Sequence, residues 1–286
     1  VSLDERRMRH CPLMLESDVI WLPKDFAISG VALQDIPLGV THRMRPSAVA
    51  LLFALHDKTT YRTLLRLARV QKISDSQLHE LVGFLNMIGA LERQRMSADS
   101  LRAVGVRMHH MLLGVWYTPI AWRRPATPLT TALGVLRAIS IVVGAVCAVA
   151  AVAAFAGLAP IAQIAGISLF CITLFAGSLF VHEMVHVRVA RRRYIRPRIL
   201  QIGLRLGVIH RKLTPRREAL SSICGPFAGS MVSAAAGIIA LSVHAPLYGL
   251  AGALIALMHC LSLTPWYGDG ASFYKALRER KSLCNK

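Results

Sequence analysis

Two stretches of this sequence, residues 138–181 and 219–268, contain no Asp, Glu, Lys or Arg. As α-helix, at about 1.5 Å per residue, each would run roughly 65–75 Å, more than twice the ~30 Å hydrocarbon core of a bilayer. Each must therefore turn back on itself, which predicts four membrane spans. The turning points are legible. Gly157-Leu158-Ala159-Pro160 and His244-Ala245-Pro246 put helix-breaking residues near the middle of each stretch. With 54% apolar residues and a mean hydropathy of +0.48, an ordinary soluble enzyme is excluded.

Charge orients the spans. The sequence carries 34 Lys and Arg against 15 Asp and Glu, a net charge of +19. Basic residues crowd residues 188–217 between the second and third expected spans, including Arg191, Arg192, Arg193 and Arg196, while the two hairpins have none. The positive-inside rule places that loop in the cytoplasm. Arg123, Arg124 and Arg137 before the first span, and Lys275, Arg278, Arg280 and Lys281 in the tail, place both termini there too. The expectation is a multi-pass protein of the cell membrane with the lipid bilayer as a partner. No signal-peptide pattern opens the sequence, so insertion is expected to rest on the internal spans. The six cysteines have no CxxC spacing and read as reduced packing residues.

Residues 1–110 read as a cytoplasmic domain, 111–132 as a basic linker or interfacial segment, and 133–286 as the four-span domain with a short tail. In the first domain, Val19-Ile20-Trp21-Leu22, Phe26-Ala27-Ile28 and Val31-Ala32-Leu33 are β-prone runs separated by turn residues. Three helices follow: residues 47–55, a second capped by Thr60, and a third opened by a Ser74/Gln77 capping box and closed at Gly89. The third places Leu78, Leu81, Val82, Leu85 and Ile88 on one face. Strands, three helices and a closing Ala90-Leu91-Glu92 edge make a winged-helix (α+β) fold the expectation.

The sharpest chemical signal is His182-Glu183-Met184-Val185-His186 at the end of the second expected span. Histidines at i and i+4 share one helical face and can both reach a zinc ion, and the glutamate between them can polarise water on that ion. Ionisable groups at the end of an apolar span are costly, which favours a functional reading. Catalytic zinc needs a third protein ligand and an open position. Asp269, in Thr264-Pro265-Trp266-Tyr267-Gly268-Asp269-Gly270, is the acid that the four-span topology returns to the same side. An Asp-Gly turn capping the tail helix is the other reading of the same residues. His109, His110, His210 and His244 have no ligand spacing and read as solvated or interfacial. His259 sits about three turns before Asp269, and an inward-facing polar role is open to it without ligand status.

Over residues 160–275 the set resembles the site-2 protease family of intramembrane zinc metallopeptidases. The resemblance lies in His182-Glu183-x-x-His186 continued by Ala190-Arg191, in Gly225-Pro226 of "CGPFAG", and in Asp269-Gly270. It implies one zinc per chain held by His182, His186 and Asp269, with Glu183 as general base and then proton donor in peptide-bond hydrolysis. Residues 199–209 resemble the membrane-associated hairpin that lines substrate access in that family; an interfacial segment packed on the headgroups is the other reading. The family's Asn ahead of its Asp-Gly pair has no counterpart between His259 and Asp269. Residues 46–91, with "DKTTYRTLL" and "LVGFLNMIGALE", resemble the winged-helix domains that recognise precursor peptides of ribosomally made natural products (RiPPs). Such domains capture a leader peptide as an added strand packed on the third helix.

These readings combine in one expectation: a zinc-dependent intramembrane endopeptidase that removes the leader from a recruited RiPP precursor, with a peptide or protein substrate as partner. Nucleic acid is not an expected partner, although a DNA-binding winged helix has a similar pattern, and the oligomeric state is left open. The alternative is a non-catalytic, membrane-tethered winged-helix regulator or peptide-export component with a degenerate metal site. A di-iron oxidase would need further histidine pairs that the sequence lacks.

Overall fold

The computed structural model of the protein describes residues 11–112, 117–191 and 197–284; Arg192, Arg193 and Arg196 of the basic loop lie outside them. Over these described residues the fold is mainly helical with three small sheets. The chain divides into two compact units, Val1–Arg123 with Leu200–Arg205, and Arg124–Ile199 with Leu206–Lys286.

The first unit begins with β1 (Val19–Trp21), β2 (Phe26–Ser29), β3 (Ala32–Asp35) and β4 (Val40–Arg43). There follow α1 (Pro46–His56), β5 (Thr59–Thr60), α2 (Tyr61–Val70), α3 (Asp75–Met87), β6 (Glu92–Gln94) and α4 (Ser97–Leu112). One antiparallel sheet has the order β5-β1-β6, so the closing edge after α3 returns beside the first strand, with Trp21 opposite Glu92. The other is the meander β2-β3-β4, in which Ser29 faces Ala32 across a two-residue turn and Asp35 faces Val40. Thr60 caps α2 through the Thr63 amide, and the Ser74/Gln77 capping box opens α3. Leu78, Leu81, Val82 and Leu85 of α3 are buried as the 3.6 period requires, against Ile20, Phe26, Leu33, Leu51, Leu55 and Leu64. Full burial of each such side chain stabilises by about 1.5–3 kcal/mol. Two buried carboxylates of this unit are paired with arginines. Arg95 grips Asp18 at 2.6 and 2.7 Å, and Arg123 meets Asp35 at 2.7 Å with both side chains 4% exposed.

A third sheet runs β7-β8-β9 through Trp122–Pro125, Arg198–Ile202 and Arg205–Ile209. The segment expected to be a hairpin at residues 199–209 is therefore a tight one, turned at Gly203 with φ +61°.

The second unit holds α5 (Pro128–Phe155), α6 (Ala159–Ala190), α7 (Pro215–Ser242), α8 (Pro246–Leu261) and α9 (Gly268–Cys284). Both expected turn-backs are present, with Gly157 and His244 in the left-handed region and Pro160 and Pro246 in the first turns of α6 and α8. Gln163–Ala190 and Pro215–Ser242 are long and apolar enough to cross a membrane. α5 qualifies as a third if its halves Pro128–Ser140 and Val142–Phe155, bent by 51°, count as one span. Where they meet, the Ser140 hydroxyl donates back to the Arg137 carbonyl, a bond that competes with the helix ladder. The apolar α8, at 16 residues, is only about 24 Å long. α6 packs on α5, α7 and α8, and α9 packs on α7. Large side chains such as Phe155, Ile164, Ile238, Ile239 and Leu254 point outward, exposed, as a lipid-facing surface requires.

Candidate metal centre

The last turns of α6 place His182, Glu183 and His186 in the interior, 6%, 5% and 9% exposed. Ionisable groups this deep need partners or a cation. The two imidazoles face each other, with His182 Nε2 and His186 Nε2 3.0 Å apart. The third group comes from the first turn of α9: Asp269 Oδ2 lies 3.2 Å from His182 Nε2, and Oδ1 lies 3.4 Å from His186 Nε2. Tetrahedral bonds of about 2.1 Å would separate ligand atoms by about 3.4 Å. The distances observed are of that order, although the two to Asp269 run to different oxygens, and with one ligand atom from each residue the three atoms lie within 4.8 Å of one another, so this His-His-Asp group could hold a metal ion.

Gly270 makes this position of Asp269 attainable. Its amide donates to the Ser262 carbonyl at 3.0 Å, and a Cβ there would collide with the Thr264 carbonyl oxygen. Asp269 and Gly270 thus belong to the first turn of α9 itself rather than to a turn ahead of it, and that turn presents the carboxylate to the histidines. Burial works to raise the Asp269 carboxyl, but its hydrogen bonds to His182 and His186 outweigh this and hold it well below the usual carboxylate range.

α7 closes the other side. Ser221 Oγ lies 2.9 Å from His186 Nδ1, which orients the ring so that Nε2 faces the cluster. Gly225 lies against the same ring: a Cβ there would run into His186 Nε2 and lie 2.9 and 3.0 Å from Cε1 and Cδ2. The Gly225-Pro226 step, buried within α7, supplies the space the histidine occupies.

Glu183 is held differently. The Val208 amide of β9 donates to its carboxylate, while Oε2 is buried with no hydrogen-bond partner among the described residues. A buried acceptor left open in this way costs free energy, and the glutamate that carries it stands in the wall of a cavity of about 510 Å³ lined also by Phe175, Val208, Ser222, Tyr267 and Asp269 together with both histidines. No protein-family model, curated protein or solved structure matches the chain. What this site can do is set by its own chemistry: two imidazole nitrogens, one carboxylate, an adjacent glutamate and a cavity beside them.

The structure brings together all four site residues expected from the sequence. It also adds some that the sequence analysis left out or read as bland. His210 lines the cavity, with Nδ1 2.9 Å from the Arg211 carbonyl. His259 is 5% exposed and lies against His182. Ser178, Ser221 and Val208 had no motif to mark them. The one available signal was the placing of Ser178 four residues before His182, on the same helical face.

Proposed function

We propose that the protein is a zinc-dependent endopeptidase embedded in the membrane, with His182, His186 and Asp269 as the metal ligands and Glu183 as the general base. The observation that carries this reading is the convergence of three residues able to offer ligand atoms, from two segments far apart in sequence, beside a buried glutamate that lines the same cavity and has one unpartnered oxygen. A zinc ion so held supplies Lewis-acid polarisation of a peptide carbonyl and lowers the pKa of water towards about 7. Glu183 Oε2, the acceptor with no other partner, takes the proton from the attacking water and returns it to the departing amine nitrogen. The Val208 amide keeps the glutamate turned to this task. The cavity admits an extended peptide only where its backbone can be unwound and wetted, at the cytoplasmic end of α6.

The four-span topology belongs to the same proposal. α6, α7 and the bent α5 supply three spans, and α8, at about 24 Å, crosses a locally thinned region that lets water reach the metal. The first unit is proposed to be a winged-helix recruiting domain for a precursor peptide. β4 is the outer strand of its meander, and a cavity of about 260 Å³ lies between the end of β4 and α3, lined by Arg43, Arg45, Ile73 and Phe84. A strand added at that edge would lay side chains into the cavity.

The test uses detergent-purified full-length protein. Elemental analysis should find about one zinc per chain in wild type and in Glu183→Gln, and little in His182→Ala. Glu183→Gln should lower hydrolysis of a cleavable precursor by about 10²–10⁴-fold. Removing residues 1–110 should impair cutting of a long precursor more than of a short peptide. Zinc absent from folded wild type, or full turnover by Glu183→Gln, would transfer the case to a non-catalytic tethered module.

A further inference from the structure

We propose that His259 and Ser178 form a proton-ordered relay that positions His182 for metal binding, a role distinct from ligation and resting on the metal-site reading above. Four groups lie in a line through the interior. The Ser178 hydroxyl is 2.9 Å from the Phe175 carbonyl and 2.9 Å from His259 Nε2, and His259 Nδ1 is 3.3 Å from His182 Nδ1. Ser178, His182 and His259 are all buried, at 0%, 6% and 5% exposure.

With an ion on His182 Nε2, the direction of every proton in the line would follow from the carbonyl that cannot donate. A backbone carbonyl only accepts, so the Ser178 hydroxyl donates to Phe175 and offers its lone pairs to His259. His259 Nε2 then carries the hydrogen, which leaves Nδ1 of the neutral ring as an acceptor. With Nε2 given to an ion, His182 Nδ1 would hold that ring's hydrogen and donate it to His259; without an ion, Asp269, which can only accept, takes a hydrogen from Nε2 instead. The tautomer needed for metal binding is thus supported by a carbonyl two side chains away. His186 is served more simply, by the single hydroxyl of Ser221.

His259 is also fixed in place. A Cβ at Gly229, one turn after Gly225 on α7, would lie 2.7–2.9 Å from three atoms of its ring, so the helix backbone itself backs the imidazole. On its other side the Phe175 ring is stacked at a centroid distance of 6.1 Å and 23°. A histidine that served only to fill space in an apolar bundle would need neither a hydrogen-bond partner on each nitrogen nor a glycine at its back.

The experiment measures metal affinity and spectroscopy on the full chain in detergent, without recourse to peptide hydrolysis. Zinc dissociation constants come from competition with a chromophoric chelator, and the ligand field from visible absorption of the cobalt(II)-loaded protein. His259→Ala should weaken zinc by about 10–100-fold and shift the cobalt bands. Ser178→Ala should move both in the same direction by less, and His259→Gln, whose amide oxygen can accept from His182, should recover part of the loss. Wild-type affinity and spectrum in His259→Ala, with metal lost in His182→Ala, would overturn the relay while leaving the metal site standing. If His259→Ala does not fold, Ser178→Ala decides: unchanged affinity and bands there overturn the proposal. Equal metal content in wild type and His182→Ala would instead remove the metal reading itself, and the relay with it.

Discussion

Gly225→Ala is the substitution that most directly probes whether α7 is built around His186. The new Cβ would lie 2.9 and 3.0 Å from Cε1 and Cδ2, and closer still to Nε2, the atom facing the cluster. Ordinary carbon contacts start near 3.5 Å, so the ring must retreat by about 0.5 Å or more. Metal–ligand bonds tolerate about 0.2 Å. The displacement is therefore more than twice what a zinc bond can absorb, and it also strains the 2.9 Å contact between His186 Nδ1 and Ser221. The expected result is a fall in zinc affinity of at least about 10-fold and in turnover of about 10²-fold, since misplacement by an ångström in a reacting constellation has that effect. Chelator competition gives the first number and a single-turnover cleavage assay the second, with circular dichroism to show that the helices persist. Zinc affinity within twofold of wild type in a folded Gly225→Ala protein would refute the reasoning, because the backbone would then have moved away from the ring at no cost.

Other perturbations follow from the same geometry. Asp269→Ala should lower zinc occupancy and abolish cleavage; retention of full zinc and activity would remove Asp269 from the site. Asp35→Ala should destabilise the first unit by about 3–5 kcal/mol by leaving the Arg123 guanidinium buried without its carboxylate, whereas Asp35→Leu with Arg123→Met should restore most of the loss in chemical denaturation. Burial pushes the Cys11 thiol from 9.0 up to about 12. A raised acid contributes stability that is complete below its unfolded value and lost as pH rises towards the folded one. The first unit should therefore lose stability from about pH 9 upward, and Cys11→Ala should flatten that slope in a pH series of denaturation midpoints.

Much of the site was legible because helix periodicity is a local property. His182 and His186 face one point by their spacing alone, and Asp269 could be selected because acids are so scarce in the second half of the sequence. The Ser74/Gln77 box and the Pro160 and Pro246 turn-backs are local for the same reason. His259 was not legible. Its partner His182 is 77 residues away, and nothing in a single sequence records which of two packed helices turns a given face inward. The strand β4 escaped for a different reason: Val40-Thr41-His42-Arg43 has no apolar alternation, and the strand exists because β3 offers a free edge beyond the Gly39 turn. The bend in α5 falls beside Ser140, whose hydroxyl donates to the Arg137 carbonyl, with no proline to mark it in the sequence.

Of the three residues proposed as ligands, Asp269 alone stands outside α6, at the point where α9 begins. An ion at this centre would fasten the tail helix to the bundle, so its escape is a local unfolding event that requires the Gly268-Asp269-Gly270 corner to swing away. The half-life of the loaded protein in excess chelator would then read the opening rate of that corner, and an occupant of the cavity lodged against Tyr267 would lengthen it. Retention of the ion and occupancy of the cleft would be kinetically linked through one turn of backbone.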